Sequence, residues 1–245
     1  MSHNMMQKVN SFALRAYRDT ADKDYILARI AYKTDLFPQF HWSALHALEK
    51  YAKCIAILTR IPKPKKDYIK HEVNRSLELI SEKLDIALSE QTKKFIARLE
   101  EYGARFRYLE ISWFINDCEL AKLDRAVWEL RRFCNAELYV YSGDHFVSVC
   151  NDKHEAIRSI EKPNKINTLV PGGYLEKTLE NRKSRARPDL VWCNLYYTNS
   201  NRKSVLMKSG KMAENSPFSL HPEIIEEVSK YTFVPDEIKN VYKSG

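Results

Sequence analysis

FHWSALHALEKYAKCIAIL, residues 40–58, constrains the fold of this chain more than any other stretch. Phe40, Ala44, Ala47, Leu48, Tyr51, Ile55 and Leu58 recur at steps of three and four, which places them on one face of an α-helix. A helix with so broad an apolar face needs other helices to cover it. ADKDYILARIAYK, residues 21–33, is of the same kind. The pattern predicts a first helix over about 20–33, with Thr20 as its cap and acids in its first turn. Residues 6–17 extend or precede it. Residues 35–38 make the loop, and Pro38 suits a helix start because its missing N–H needs no partner there. Pro62 and Pro64 stop the second helix near Thr59.

Further helices are expected over 67–79 and 89–102, with Gly103 as a stop or kink. A long helical pattern follows over 117–134. There Leu120, Leu123, Val127, Leu130 and Cys134 step by three and four, as a seam packing on neighbouring helices requires. RFRYLEISWF between these two fits either helix or strand. Beyond Cys134 the character changes. ELYVYS and HFVSVC read as a hairpin about Gly143-Asp144, although a helical continuation over 136–141 fits too. Residues 175–182, 222–230 and 236–242 read as helices. LVWCNLYY and SVLM are β-rich runs on either side of T-N-S-N-R-K and suggest a second hairpin. The fold class is thus mainly α: an antiparallel helical bundle over 1–135, then a basic α+β extension over 136–245 containing a short β-hairpin, with a hinge at 161–164.

A chain of 245 residues can bury a substantial core. With 44% hydrophobic and 29% charged residues it has ordinary globular composition, and its 6 glycines favour helix over a β-sandwich. No apolar run approaches the roughly 20 residues of a membrane span, and MSHNMMQKVNSF lacks the apolar core of a signal peptide, so a cytoplasmic protein without membrane contact is expected. Cys54, Cys118, Cys134, Cys150 and Cys193 are odd in number, widely spaced and without a CxxC, which reads as free thiols in a reducing compartment.

The first two helices together resemble the opening hairpin of the HEPN family (higher eukaryotes and prokaryotes nucleotide-binding). That family typically has an A-x-x-D-Y-x-x-A-R helix, here Ala21, Asp24, Tyr25, Ala28 and Arg29. A short loop and an A-x-E-K-x-x-K helix follow, here Ala47, Glu49, Lys50 and Lys53. The resemblance covers about the first 135 residues and implies a HEPN-like bundle that binds RNA or a nucleotide. It also implies homodimerisation, and a phage-defence or toxin–antitoxin setting. The family's nucleases carry R-x4-6-H on a late helix. Here the matching helix has Arg125, Arg131 and Arg132, and no arginine of the chain is followed by a histidine at that spacing. The expectation is therefore binding without catalysis.

A net charge of +8 and a pI of about 9.1 permit attraction to phosphates or to an acidic partner. Lys63, Lys65 and Lys66 follow the second helix. Arg182, Lys183, Arg185, Arg187, Arg202 and Lys203 crowd a stretch whose one acid is Asp189, with Trp192, Tyr196 and Tyr197 between them. Cations beside aromatic faces suit single-stranded nucleic acid, though a solvated basic loop over core aromatics has the same composition. Lys53 is either a further phosphate contact or the i,i+4 ion-pair partner of Glu49. An atypical metal-independent ribonuclease would use His71, with Arg75 or Arg107 stabilising the phosphate. A third reading is a dimeric module docking an acidic protein or a nucleotidyltransferase. No cofactor motif is present, and His145, Cys150 and His154 lack zinc-finger spacing.

Overall fold

The computed structural model describes residues 3–62, 73–115, 118–143, 145–159, 170–198, 202, 204–206 and 212–243. It is mainly helical. Helix α1 (His3–Phe12) runs through a π-helical segment (Ala13–Arg18) into α2 (Asp19–Lys33) without a break, and a tight loop returns the chain into α3 (Phe37–Leu58). Pro38 lies in the first turn of α3, as its fixed φ favours. So short a connection makes α2 and α3 antiparallel neighbours, and they form the most extensively packed pair. Leu48, Tyr51, Ile55 and Leu58 are fully buried. Each such side chain contributes about 1.5–3 kcal/mol relative to exposure.

Helices α4 (Val73–Ser81), α5 (Glu90–Arg107) and α6 (Glu119–Arg131) complete the bundle round α3. Ser89 caps α5 by accepting the Thr92 N–H at 3.2 Å. The seam residues Leu120, Leu123, Val127, Leu130 and Cys134 are all fully buried. Gly103 does not stop α5. It sits inside the helix where α5 packs on α3, and a Cβ would stand 3.5 Å from the His41 carbonyl oxygen and from Leu45, an ordinary contact distance. Helices α2, α3 and α5 each end on a left-handed residue that is not glycine. Asp35, Arg60 and Leu109 each take a left-handed φ (60°, 54° and 52°) beyond α2, α3 and α5. After each, the next residue's N–H closes a Schellman bond: Leu36 to Ala31, Ile61 to Ala56 and Glu110 to Arg105.

Strand β1 (Trp113–Ile115) precedes α6, and β2 (Tyr139–Ser142) pairs antiparallel with β3 (His145–Val149) across Gly143, which supplies the positive φ of the turn. The hairpin expected there is present, with a bulge that leaves Val147 unpaired. Residues 136–138 form a 3₁₀ turn rather than extending α6. Then come α7 (Asn151–Ser159), α8 (Tyr174–Glu180), α9 (Arg187–Val191), β4 (Met212–Glu214), α10 (Pro217–Leu220), α11 (Ile225–Val228) and α12 (Asp236–Lys243). Leu175, Leu179, Leu190 and Tyr197 join the core of the bundle, while Phe218, Ile225, Val234 and Ile238 form a small cluster of their own.

Among the described residues neither run of the expected second hairpin, 190–197 or 204–206, is a strand. Helix α9, with Pro188 in its first turn, takes up Leu190 and Val191 at the start of the first run, and Asn194 then folds the chain by accepting the N–H groups of Tyr196 and Tyr197, both at 2.9 Å. The strand that does form late in the chain, β4, pairs with the distant β1, Trp113 opposite Glu214. The hinge expected at 161–164 and the first part of the 67–79 helix lie outside the described residues.

Candidate nucleic-acid interface

The candidate site is built on the π segment. Ala13 and Arg18, the buried residues of this segment, stand five apart. The Asp19 N–H reaches back five residues to the Leu14 carbonyl. Thr20, expected as a helix cap, lies instead within the continuous helix. Its hydroxyl donates to the carbonyls of Ala16 at 2.6 Å and Tyr17 at 3.1 Å, satisfying groups that the widened turn displaces. The extra residue turns Arg18 inward, where it is 5% exposed and its Nε donates to Asp19 at 2.9 Å. Arg15 remains outside.

Helix α8 is held against this turn by a buried arginine. Arg131 of α6 donates to Asp22 of α2 through Nε at 2.6 Å and Nη2 at 2.8 Å. It donates to Glu176 of α8 through Nη1 at 2.7 Å and Nη2 at 2.6 Å. Tyr51 donates to Asp22 at 2.7 Å, and the Val170 N–H donates to Glu176 at 2.8 Å. Burial pushes the Glu176 carboxyl up, but the Arg131 guanidinium and these hydrogen bonds outweigh it and hold the carboxyl below its ordinary value. Gly172 takes a left-handed φ of 71°, and a Cβ on Gly173 would collide with the side chains of Glu176 and Arg131. The Gly-Gly pair is thus a packing device at the entry to α8.

A cleft of about 550 Å³ lies between the π turn and α8, lined among others by Gln7, Asn10, Arg15, Arg18, Asp19 and Lys177. A shallower cleft of about 450 Å³ adjoins it and adds Lys8, with Ser11 and Arg15 lining both. Lys8, Arg15 and Lys177 are exposed, and the one acid lining either cleft, Asp19, is already held by Arg18. Sequence reasoning missed all four cations. Lys177 lies far along the chain from the other three, and no motif or charge cluster links it to them.

From Lys177 the chain leads directly to the basic stretch singled out in the sequence. Arg182, Lys183 and Arg185 are exposed on a turn that Asn181 organises, its side chain accepting the Lys183 N–H at 3.0 Å. Arg187 is half-buried, its Nε donating to the Leu179 carbonyl at 2.9 Å. Arg202 is exposed and donates to the Val191 carbonyl at 2.8 Å. A second buried arginine fastens this stretch. Arg29 of α2 donates to the carbonyls of Asp189 and Trp192 and pairs with Asp124, while Asn194 donates to Tyr25 at 2.8 Å. The aromatic residues are engaged. Tyr197 is buried, Tyr196 packs on Trp128, and Trp192 is half-buried with Lys33 over its ring.

Of the other candidate residues, Lys53 forms the i,i+4 ion pair with Glu49. Arg75 is exposed on α4. Arg107 ends α5, its side chain outside the described atoms, and Lys63, Lys65, Lys66, His71 and Lys203 lie outside the described residues. Among the described residues no three His, Cys, Asp or Glu side chains are grouped to hold a metal ion, and no helix is long and apolar enough to cross a membrane. No family model matches this chain, no curated protein matches its sequence, and no solved structure matches its fold.

Proposed function

We propose that this chain is a HEPN-like helical protein that binds RNA through phosphate contacts without cutting it. The observation that carries the reading is the succession of exposed cations from Lys8 and Arg15 at the π turn, through Lys177, to Arg182, Lys183 and Arg185. Phosphates neutralised along such a path release counterions, which gives affinity without base specificity. With Trp192, Tyr196 and Tyr197 engaged in packing, base stacking adds little. The family-like residues have scaffold roles that suit a binding fold: Lys50 pairs with Asp24, Lys53 with Glu49, and Arg29 with Asp124.

The test is fluorescence anisotropy of a labelled single-stranded RNA in low salt. Saturable binding that falls on charge reversal at Arg15 and Lys177, and again at Arg182, Lys183 and Arg185, is the expected result. Equal binding by the reversed variants removes the reading. A decline of anisotropy below that of free RNA shows cleavage and favours the ribonuclease alternative.

A protein-docking reading has one observation in its favour. Tyr231 and Phe233 are 80% and 84% exposed beside the C-terminal apolar cluster, as contact surfaces often are. Light scattering across micromolar concentrations tests self-association: a constant monomer mass excludes the homodimer form of that reading.

A further inference from the structure

The cleft between the π turn and α8 holds one arginine that a path of exposed cations leaves unused. Arg18 lines the cleft, is 5% exposed, and has its Nε held by Asp19 at 2.9 Å. Its two Nη groups have no partner among the described residues, and neither is sealed from solvent. A guanidinium fixed through Nε presents its Nη pair as a planar fork, the geometry that takes two oxygens of one phosphate.

The charge of the cleft is that of a particular kind of phosphate. Arg15 and Lys177, both exposed, line it with Arg18, and Asp19 is its one carboxylate. Three cations against one acid leave two positive charges. A terminal phosphomonoester carries close to two negative charges at neutral pH and three free oxygens, whereas a phosphodiester within a strand carries one charge and two. The two sides of the cleft are held in place without a ligand: Arg131 bonds Asp22, one turn beyond Arg18, and Glu176, the residue before Lys177. Such preorganisation lowers the cost of binding. Leu14, Ala136 and Pro171 line the rest of the cleft and give a terminal nucleoside an apolar wall, and about 550 Å³ is ample for one nucleotide.

The geometry points to this cleft as the seat of a terminal phosphomonoester of the bound RNA. The end phosphate sits on the Arg18 fork between Arg15 and Lys177, and phosphates further along the strand meet Arg182, Lys183 and Arg185. The assignment rests on the RNA reading and adds to it a preference for a phosphorylated end.

Fluorescence anisotropy with the full chain tests this, using one internally labelled single-stranded RNA sequence with three endings: 5′-phosphate, 3′-phosphate, and hydroxyl at both ends. One phosphorylated ending should bind roughly tenfold tighter than the hydroxyl RNA, and which one gives the polarity of the strand. Arg15→Gln and Lys177→Gln, both at exposed positions, should each reduce that ratio severalfold. Arg18→Lys keeps the charge but removes the fork, and should bring the ratio close to one. If the Arg18 variant does not fold, the exposed pair still decides: a ratio unchanged in the Arg15→Gln/Lys177→Gln double variant overturns the proposal. Arg182→Ala/Lys183→Ala/Arg185→Ala should weaken all three RNAs together and leave the ratio as it is. Equal affinity for the three endings overturns the proposal and leaves the RNA reading standing, whereas absence of binding by all three overturns both. Adenosine 5′-monophosphate, titrated by calorimetry, separates the sources: binding tighter than that of the phosphorylated RNA assigns the cleft to a free nucleotide, and weaker binding assigns it to the RNA end.

Discussion

Replacing Arg131 with methionine is the most informative single change to the scaffold, because one guanidinium there ties three helices. Its four hydrogen bonds reach Asp22 on α2 and Glu176 on α8, and all three side chains are at most 6% exposed. Methionine fills a similar volume but leaves two carboxylates buried side by side. Breaking a buried pair in this way costs about 3–5 kcal/mol. For a chain of this size that lowers the melting temperature by roughly 6–20 °C. Glu176→Gln is the control: it keeps the shape and leaves the Asp22–Arg131 pair balanced, so it should cost about 1–3 kcal/mol. Urea unfolding followed by circular dichroism measures both. Hydrogen exchange of Arg131→Met should show the backbone of α8 losing protection beyond that of α3. Destabilisation of Arg131→Met by less than Glu176→Gln would refute the argument that an uncompensated buried charge dominates at this junction.

Three further outcomes follow from local geometry. Gly103→Ala should stabilise the protein by about 0.5–1 kcal/mol in urea unfolding, because the added methyl meets His41 and Leu45 at ordinary contact distance and alanine is the better helix former. Gly173→Ala should destabilise by about 1–3 kcal/mol, since its methyl collides with Glu176 and Arg131 and forces a shift. Burial pushes the Glu119 carboxyl up, but His41, bonded to it at 2.6 Å, and Arg98 outweigh this and hold it below its ordinary value. Its stabilisation is therefore complete above the unfolded value of about 4.3 and is lost as pH falls through the lower folded value. Urea midpoints between about pH 5 and pH 3 should drop more steeply for the native chain than for Glu119→Gln.

The helical bundle was legible because its signals are local and repeated. The stripe on α3 and the seam on α6 are buried where the spacing places them, and the turn at Gly143 joins two strands as its sequence suggests. What escaped the sequence depends on distant partners. Pairing of β1 with β4 joins segments about a hundred residues apart, and nothing in W-F-I or M-A-E announces it. LVWCNLYY has strand composition, yet Arg29 takes the carbonyls of Asp189 and Trp192 and holds the stretch as a helix and turn. Gly103 has the composition of a stop but lies within α5, where the helix packs on α3. At the candidate interface, Arg182, Lys183 and Arg185 stood out as a charge cluster. Arg15 and Lys177 did not, because each is an isolated cation until the π turn and α8 bring them to one cleft.

The most direct test of the central claim is the salt dependence of RNA binding by the native chain and by an Arg182→Ala/Lys183→Ala/Arg185→Ala variant. Single strands contribute a slope of about −0.7 in log affinity against log salt for each phosphate neutralised. Contacts from Lys8, Arg15, Lys177, Arg182, Lys183 and Arg185 therefore predict a slope of roughly −4, falling to roughly −2 in the variant. An affinity insensitive to salt, or a slope that the three substitutions leave unchanged, would contradict phosphate recognition along this path.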